Sequence, residues 1–368
     1  MESHPTLLFF LLLLVSSNLL TFYLFSSSTS SSVTTSSPPP LSISSLPQEY
    51  FTFTSPQPLP FGHNPNLDSS FLHPPIGLPC LLFPSLLSSF LSYPINSSCP
   101  DDELLAQKLL LKGCEPLPRR RCRPPAPSDP SPPLPLPLSL WSTPPDNSIH
   151  WSAYSCKSFS CLVDRKNSNS FDDCKDCFDL AGREKHRWVT PSTNPLDFTI
   201  DDVLAAAKPP GSIRIGLDIG GGSGTFAVRM RERNVTVVAT TVNLNGPFSN
   251  FIAARGIVPL YMSISQRLPF FDNTLDVVHS MHVLSNWIPT TLLHFIVFDV
   301  YRVLRPGGLF WLDHFFFVEG QMDEYVSLFE SVGFGKVRWE VGRKLDRGPE
   351  LKEMYISALL EKPLKNSW

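Results

Sequence analysis

The sequence predicts an α/β protein: a doubly wound sheet of about seven strands, preceded by a Pro/Ser-rich stem and a Cys-rich module. Three observations carry this. From about residue 196, strand-like apolar runs alternate with helical ones, the order that places helices on both faces of a parallel sheet. LDIGGGSG at 217–224 stands between the first of those strands and the helix after it. Prolines and cysteines are segregated: 27 of 38 prolines lie in residues 1–150, and all 8 Cys lie between Cys80 and Cys177.

The elements follow in order. Leu196–Ala207 reads as a helix, Ile213–Asp218 as a buried strand, Ser223–Arg233 as a helix and Val235–Thr240 as a second strand. Phe248–Arg255 is a helix, Ile257–Met262 a third strand and Leu275–Ser280 a fourth. Pro289 opens a long helix, since proline suits a first helical turn, and RPGG at 305–308 stops it. Leu309–Asp313 is the fifth strand. Met322–Val332 is a helix with Gly333 just past its end. Val337–Val341 and Met354–Leu360 pair as a closing antiparallel unit. Ligands of such sheets sit at the carboxyl ends of the strands.

Of 368 residues, 42% are hydrophobic and 17% charged, which excludes wholesale disorder. A net charge of −3 argues against a nucleic-acid binder held by phosphate contacts. Residues 7–25 (LLFFLLLLVSSNLLTFYLF) carry no charge and as a helix would span roughly 28 Å, about one hydrocarbon core. They read as a signal anchor, with a cleaved signal peptide as the rival. The first Lys or Arg is Lys108, so the positive-inside rule has little to act on. The partition is 1–25 anchor, 26–100 stem, 101–185 Cys-rich module and 186–368 sheet domain. Within the stem, Pro79 and Pro84 break the apolar run 76–92, which is expected to pack rather than span. Asn96-Ser97-Ser98 is a glycosylation sequon, meaningful if the stem is lumenal; Asn234-Val235-Thr236 is a chance match at the mouth of a strand.

An even cysteine count in such a stretch fits disulfides. The last four, Cys156, Cys161, Cys174 and Cys177, are also loosely spaced as zinc ligands, and free thiols are the third reading. Aromatics stud the region (Trp141, Trp151, Tyr154, Phe159, Phe171, Phe178, Trp188), suggesting a module that packs on the next domain.

In LDIGGGSG, Gly220, Gly222 and Gly224 let backbone approach a ligand and leave helix N–H groups facing it. A plain tight turn is the bland alternative. A dinucleotide is the rival ligand, but G-x-G-x-G is not G-x-G-x-x-G, and no acid ends the second strand to hold a ribose.

Together with SQRLPFFDNTLDVVHS at 265–280 and VYRVLRPGGLFWLDHFF at 300–316, this loop resembles the class I S-adenosylmethionine-dependent methyltransferases over roughly residues 186–362. ERNVTVVATTVNLNGPFSNFIAARG and GCEPLPRRRCR at 113–123 are similar to plant-specific methyltransferase-like proteins related to the pectin methyltransferase group, single-span Golgi proteins with a lumenal domain. The resemblance implies a Rossmann-like methyltransferase sheet and S-adenosyl-L-methionine as cofactor. It implies that Asp218 orients the methionine amino group and that Gly220, Gly222 and Gly224 line the methionyl and ribose part. Two positions depart from the pattern. Asn243 stands where an acid usually holds the ribose, and Ser263 stands near where an acid usually meets adenine. Each loss is worth about 1–3 kcal/mol as a charged hydrogen bond.

Methyl transfer from a sulfonium is an in-line displacement, so positioning supplies much of the rate, and a hydroxyl acceptor also needs a base. Acceptor-side candidates follow the fourth and fifth strands: His279, His282, Trp287, Asp313 and His314, with His282, His314 and Asp313 as the catalytic set. Asp272 and Asp276 read as structural, and His279 and His282 need not share a face as a metal pair. Cations for an acidic polymer would come from Arg267, from Arg343 and Lys344, or from RRRCR at 119–123. The sequence thus predicts a membrane-anchored methyltransferase of the secretory pathway, placed in the Golgi with its C-terminal domain lumenal. Its acceptor would be a cell-wall polysaccharide or a small molecule, with no nucleic-acid partner. The alternative is a binding or scaffold protein that keeps the fold without turnover.

Overall fold

A computed structural model describes residues 46–54, 57–58, 71–72, 78–114, 117–151, 153–165 and 177–364. The expected anchor at 7–25, most of the stem, Phe171 and Cys174 lie outside them. Among the described residues no helix is long and apolar enough to cross a membrane.

The N-terminal part is built from short helices: α1 (Gln48–Thr54), α2 (Leu78–Leu82), α3 (Pro84–Leu91) and α4 (Glu103–Leu111). Pro84 occupies the first turn of α3, where its missing N–H is no loss. The apolar run 76–92 therefore does pack: Leu87, Phe90 and Leu91 close on Leu46, Tyr50 and Leu109. So small a core needs covalent help. Cys80–Cys114 and Cys99–Cys122 supply it. Further on, α5 (Phe159–Asp164) is capped by the Ser158 hydroxyl, which accepts from the Cys161 N–H, and Cys156 pairs with Cys161. Cys177 is also disulfide-bonded. These residues are cystines rather than metal ligands or free thiols. Trp151, Phe159 and Phe178 pack directly on Phe248 and Phe251 of the sheet domain.

After the short α6 (Arg183–His186), the chain enters α7 (Ile200–Ala206), started by a reciprocal Thr199/Asp202 capping box. The sheet then forms from β1 (Ile215–Ile219), β2 (Thr236–Thr241), β3 (Val258–Tyr261), β4 (Leu275–Met281), β5 (Leu304–Val318), β6 (Gly335–Arg343) and β7 (Glu353–Glu361), in the order β3-β2-β1-β4-β5-β7-β6. Pairing is parallel from β3 to β5, while β7 runs antiparallel to both β5 and β6. The helices α8 (Thr225–Arg231), α9 (Phe248–Ala254), α10 (Thr290–Val303) and α11 (Met322–Ser331) are the expected ones with trimmed ends. One boundary differs. RPGG does not separate helix from strand but lies inside β5, where Gly307 takes φ +76 and a Cβ on Gly308 would stand 2.8 Å from the Arg305 carbonyl.

Two apolar layers flank the sheet. Leu217, Val278, Phe310 and Phe315 lie in one; Phe226, Val237, Val277 and Trp311 lie in the other, which also takes in Leu140 from the Cys-rich half. Asp276 is structural, as expected: its Oδ2 accepts the Arg214 and Ile215 N–H groups at 2.6 and 2.9 Å, tying the start of β1 to β4, and its Oδ1 pairs with Arg305. Asp272 accepts from Arg302 at 2.9 Å. Arg255, fully buried, donates to the carbonyls of Leu140 and Ser223, both at 2.8 Å, and to Thr225 Oγ1 at 3.0 Å. Burial pulls its pKa down to about 10, so it keeps its charge at neutral pH.

Candidate active site

The loop after β1 is shaped by β2. Thr240 accepts the Gly220 N–H on its hydroxyl at 3.0 Å and the Gly221 N–H on its carbonyl at 2.9 Å. Gly220 and Gly222 take φ +70 and +53, backbone that favours glycine. A Cβ on Gly220 would run into Val283 at 2.0 Å, whereas one on Gly222 would meet only the Cys177 sulfur at 3.1 Å. Gly224 also has positive φ, but it caps α8 and faces Ile252 at 3.2 Å, so it serves helix packing.

Above this loop, at the carboxyl edge of β1 to β4, lies a cleft of about 590 Å3. Gly220 and Gly222 form its floor, Thr241, Val242 and Leu244 one side, Met262, Ser263 and Ile264 another, and Met281, His282, Trp287 and Ile288 the far end. Its walls are mainly apolar with a few polar groups, the character of a small-molecule site. One wall residue comes from outside the sheet domain: Leu111, from α4.

Behind the cleft runs a chain of alternating acids and imidazoles. Asp218 Oδ1 lies 2.8 Å from His279 Nδ1, and His279 Nε2 lies 3.3 Å from Asp313 Oδ2. Asp313 Oδ1 lies 2.5 Å from His314 Nδ1, and His314 Nε2 is 3.3 Å from Asp197. Trp188 Nε1 donates to Asp313 Oδ2 at 2.9 Å. His279 is stacked on Phe226 with ring centroids 3.9 Å apart. Burial alone would discharge His279, but hydrogen bonds from it to Asp218 and Asp313 raise its pKa. Asp313 is the mirror case: burial opposes its charge, yet His279 and His314 hold it ionised. His282 differs from both. Crowding by protein and the charge of His314 push its pKa down to about 4, although the ring keeps an edge open to the cleft. It is therefore a neutral imidazole near pH 7. His282 and His314 both take positive φ, +59 and +51, and their rings lie 5.5 Å apart.

Of the residues singled out by sequence, Gly220, Gly222, Ser263, His282 and Trp287 line the cleft. Asp218 lies beneath the loop, on His279, with Asp313 and His314 behind His282. Asn243, expected at the ribose, turns away from the cleft: its Oδ1 accepts the Ser249 N–H at 2.8 Å and its Nδ2 faces Glu103 at 3.4 Å, so it shapes a turn and is not in the cleft wall. None of the proposed cations lines this cleft, and several have acidic neighbours of their own. Arg120 pairs with Asp102, Arg121 with Glu49, Arg343 with Glu319, Lys344 with Asp346 and Glu353, and Arg267 lies 4.0 Å from Asp272. Besides His314, the positive charges felt by His282 are those of Arg187 and Arg183, with Arg187 Nη2 2.9 Å from the Met281 sulfur. The linking role of His279, the Trp188 donor and the Leu111 wall were not read from sequence. The LDxG/DVVH pairing of two polar residues on adjacent buried strands was the available signal for the first.

A parallel five-strand run with a β7/β6 antiparallel close, a glycine loop after β1 and a cleft above it define a protein of the class I methyltransferase type. A family model described as a methyltransferase domain matches residues 217–312. The chain is 39% identical over 292 residues to probable methyltransferase At1g29790 of Arabidopsis thaliana, covering 79% of this chain and 72% of that protein. It belongs to that probable methyltransferase family. It is also 34% identical over 115 residues to probable methyltransferase PMT21 of the same plant, covering 31% of this chain and 18% of that one. Among solved structures it resembles a geranyl diphosphate methyltransferase in complex with GPP and sinefungin (13% identity, 44% of this chain, 77% of that chain, TM-score 0.36). It also resembles a methyltransferase from Methanosarcina mazei (16% identity, 42% and 94%, TM-score 0.33), likenesses too remote to carry function.

Proposed function

We propose that the chain transfers a methyl group from S-adenosylmethionine to a cell-wall polysaccharide, from a lumenal position in a secretory-pathway membrane. The observation that carries the donor side is the cleft over Gly220 and Gly222. The residues fit that cofactor: no side chain rises from the loop, Leu244, Met262 and Ile264 offer apolar surface for an aromatic base, and Ser263 offers a hydroxyl beside it. When bound, the cofactor supplies an electrophilic methyl group.

The chain's own residues do the rest. Thr240 holds the glycine loop open, and His279 fixes Asp218 beneath it. His282, neutral near pH 7 and exposed to the cleft, can take the proton of a hydroxyl acceptor; a carboxylate acceptor would need no base. Trp287, 60% exposed at the far end, offers a face on which a sugar ring can stack. Lumenal placement is supported by the cystines and by the exposed Asn96 of the sequon, and membrane anchoring by the apolar run 7–25.

Isothermal calorimetry of the full chain tests the donor side: S-adenosylmethionine should bind with one site, and Gly222→Asp should abolish that binding. The position of Asn243 favours a second reading, a binding protein without turnover. Methyl transfer to wall polysaccharide fractions, followed with labelled cofactor, decides between them. Absence of cofactor binding by the unaltered chain would defeat the enzymatic reading.

A further inference from the structure

We propose that helix α4 of the disulfide-stapled module is a wall of the cofactor site: Leu111 covers bound S-adenosylmethionine, and Gln107 positions the turn after β2 from which the usual acid is missing. The inference rests on the cofactor reading above.

Leu111 is 60% exposed, yet its exposed surface faces the cleft alongside Leu244 and Met262. An isolated surface leucine needs no explanation, but one that lines a concave site loses its exposed area when a ligand enters. Gln107 is 4% exposed. Its Nε2 donates to the Asn243 carbonyl at 2.9 Å and to Tyr154 Oη at 3.1 Å. Glu103, one turn earlier, lies 3.4 Å from Asn243 Nδ2. The turn that a charged residue would occupy in the usual pattern thus takes its shape from a helix 136 residues away in sequence.

The position of α4 is itself over-determined. The helix ends with Gly113 at φ +80; the Gly113 N–H returns to the Leu110 carbonyl and the Cys114 N–H to that of Leu109, both at 2.9 Å. That crossed pair of bonds is a Schellman motif, which fixes where the chain leaves. It leaves into Cys114, fully buried and bonded to Cys80. At the other end, Arg120 clamps Asp102, the residue before the helix, at 2.6 Å. Leu111 is consequently held at the rim by the module's own staples together with the Gln107 bond to the turn after β2.

The test uses the full, oxidised chain and S-adenosylmethionine itself. Leu111→Ser, at an exposed position, should weaken calorimetric binding about tenfold, the effect of losing part of a leucine's burial. Leu111→Met should restore it. Gln107→Ala should weaken binding several-fold without altering the far end of the cleft. On the unaltered chain, amide hydrogen exchange across 103–114 should slow when the cofactor is added. If Leu111→Ser and Gln107→Ala bind as tightly as the unaltered chain, or if exchange across 103–114 is indifferent to the cofactor, this inference falls while the cofactor reading stands. No binding by the unaltered chain overturns both.

Discussion

The molecule has two kinds of interior. Around the sheet, Leu217, Val278, Phe310, Leu312 and Phe315 are fully shielded, and no cysteine stands among them. In the N-terminal cluster, Leu87, Phe90 and Leu109 share a much smaller core with Cys80 and Cys114. Area buried stabilises the first, and restriction of the unfolded chain stabilises the second. The contrast explains why all cysteines precede residue 178: the sheet has no need of them.

The comparison can be broken in several ways. Phe310→Ala should cost about 3–5 kcal/mol, because a buried aromatic leaves a cavity in a packed layer. Denaturant unfolding should show that loss for the sheet; a loss near zero would mean the sheet core is not what holds this half together. Cys80→Ser should cost about 2–4 kcal/mol, and the loss should be local to the module. Exchange protection in β1 and β4 should survive it. Global unfolding instead would show that the module's cystine also supports the sheet.

Within the sheet half, two histidines near the cleft, His279 buried in β4 and His282 exposed just after it, carry opposite signs of pH dependence. His282 has a folded pKa of about 4, below its ordinary 6.5. Between those values the unfolded chain binds a proton that the folded chain does not, so stability falls as pH drops from 6.5 to 4. His282→Asn should flatten that acid slope. His279 has a raised pKa, so its contribution is fully present below 6.5 and is lost as pH rises through the folded value. His279→Gln should flatten the slope above neutrality and leave the acid one unchanged. Melting curves across pH would separate the two; coincident profiles would refute the assignment of charge. The smallest expected effect is at Gly113. A Cβ there would only touch Pro79 at 3.6 Å, so Gly113→Ala should cost about 1 kcal/mol, purely for the left-handed backbone.

Much of this was legible from local pattern. The strands were found because buried parallel strands are continuous apolar runs, as in IRIGLD and LDVVHS, and the glycine loop because its chemistry is local. Gly220, Gly222, Ser263 and His282 reached the cleft because position along a strand end places them there. Asn243 was misplaced because counting along the chain aligns a position but not a rotamer, and Ser249 and Glu103 claimed its side chain. Leu111 could not be found, since nothing periodic links residues 111 and 244. The end of α10 was found, but RPGG was read as a break because glycine and proline punctuate turns; here they bend a strand that continues.

Arg255 has one more consequence. Its guanidinium holds a carbonyl on each side of residue 186, Leu140 before it and Ser223 after it. The place where composition changes is therefore not a place where the chain can be cut. A fragment beginning at 186 would keep the Ser223 and Thr225 acceptors but lose that of Leu140, leaving a buried guanidinium short of one partner, so a cut at the compositional seam destabilises the sheet half it was meant to free.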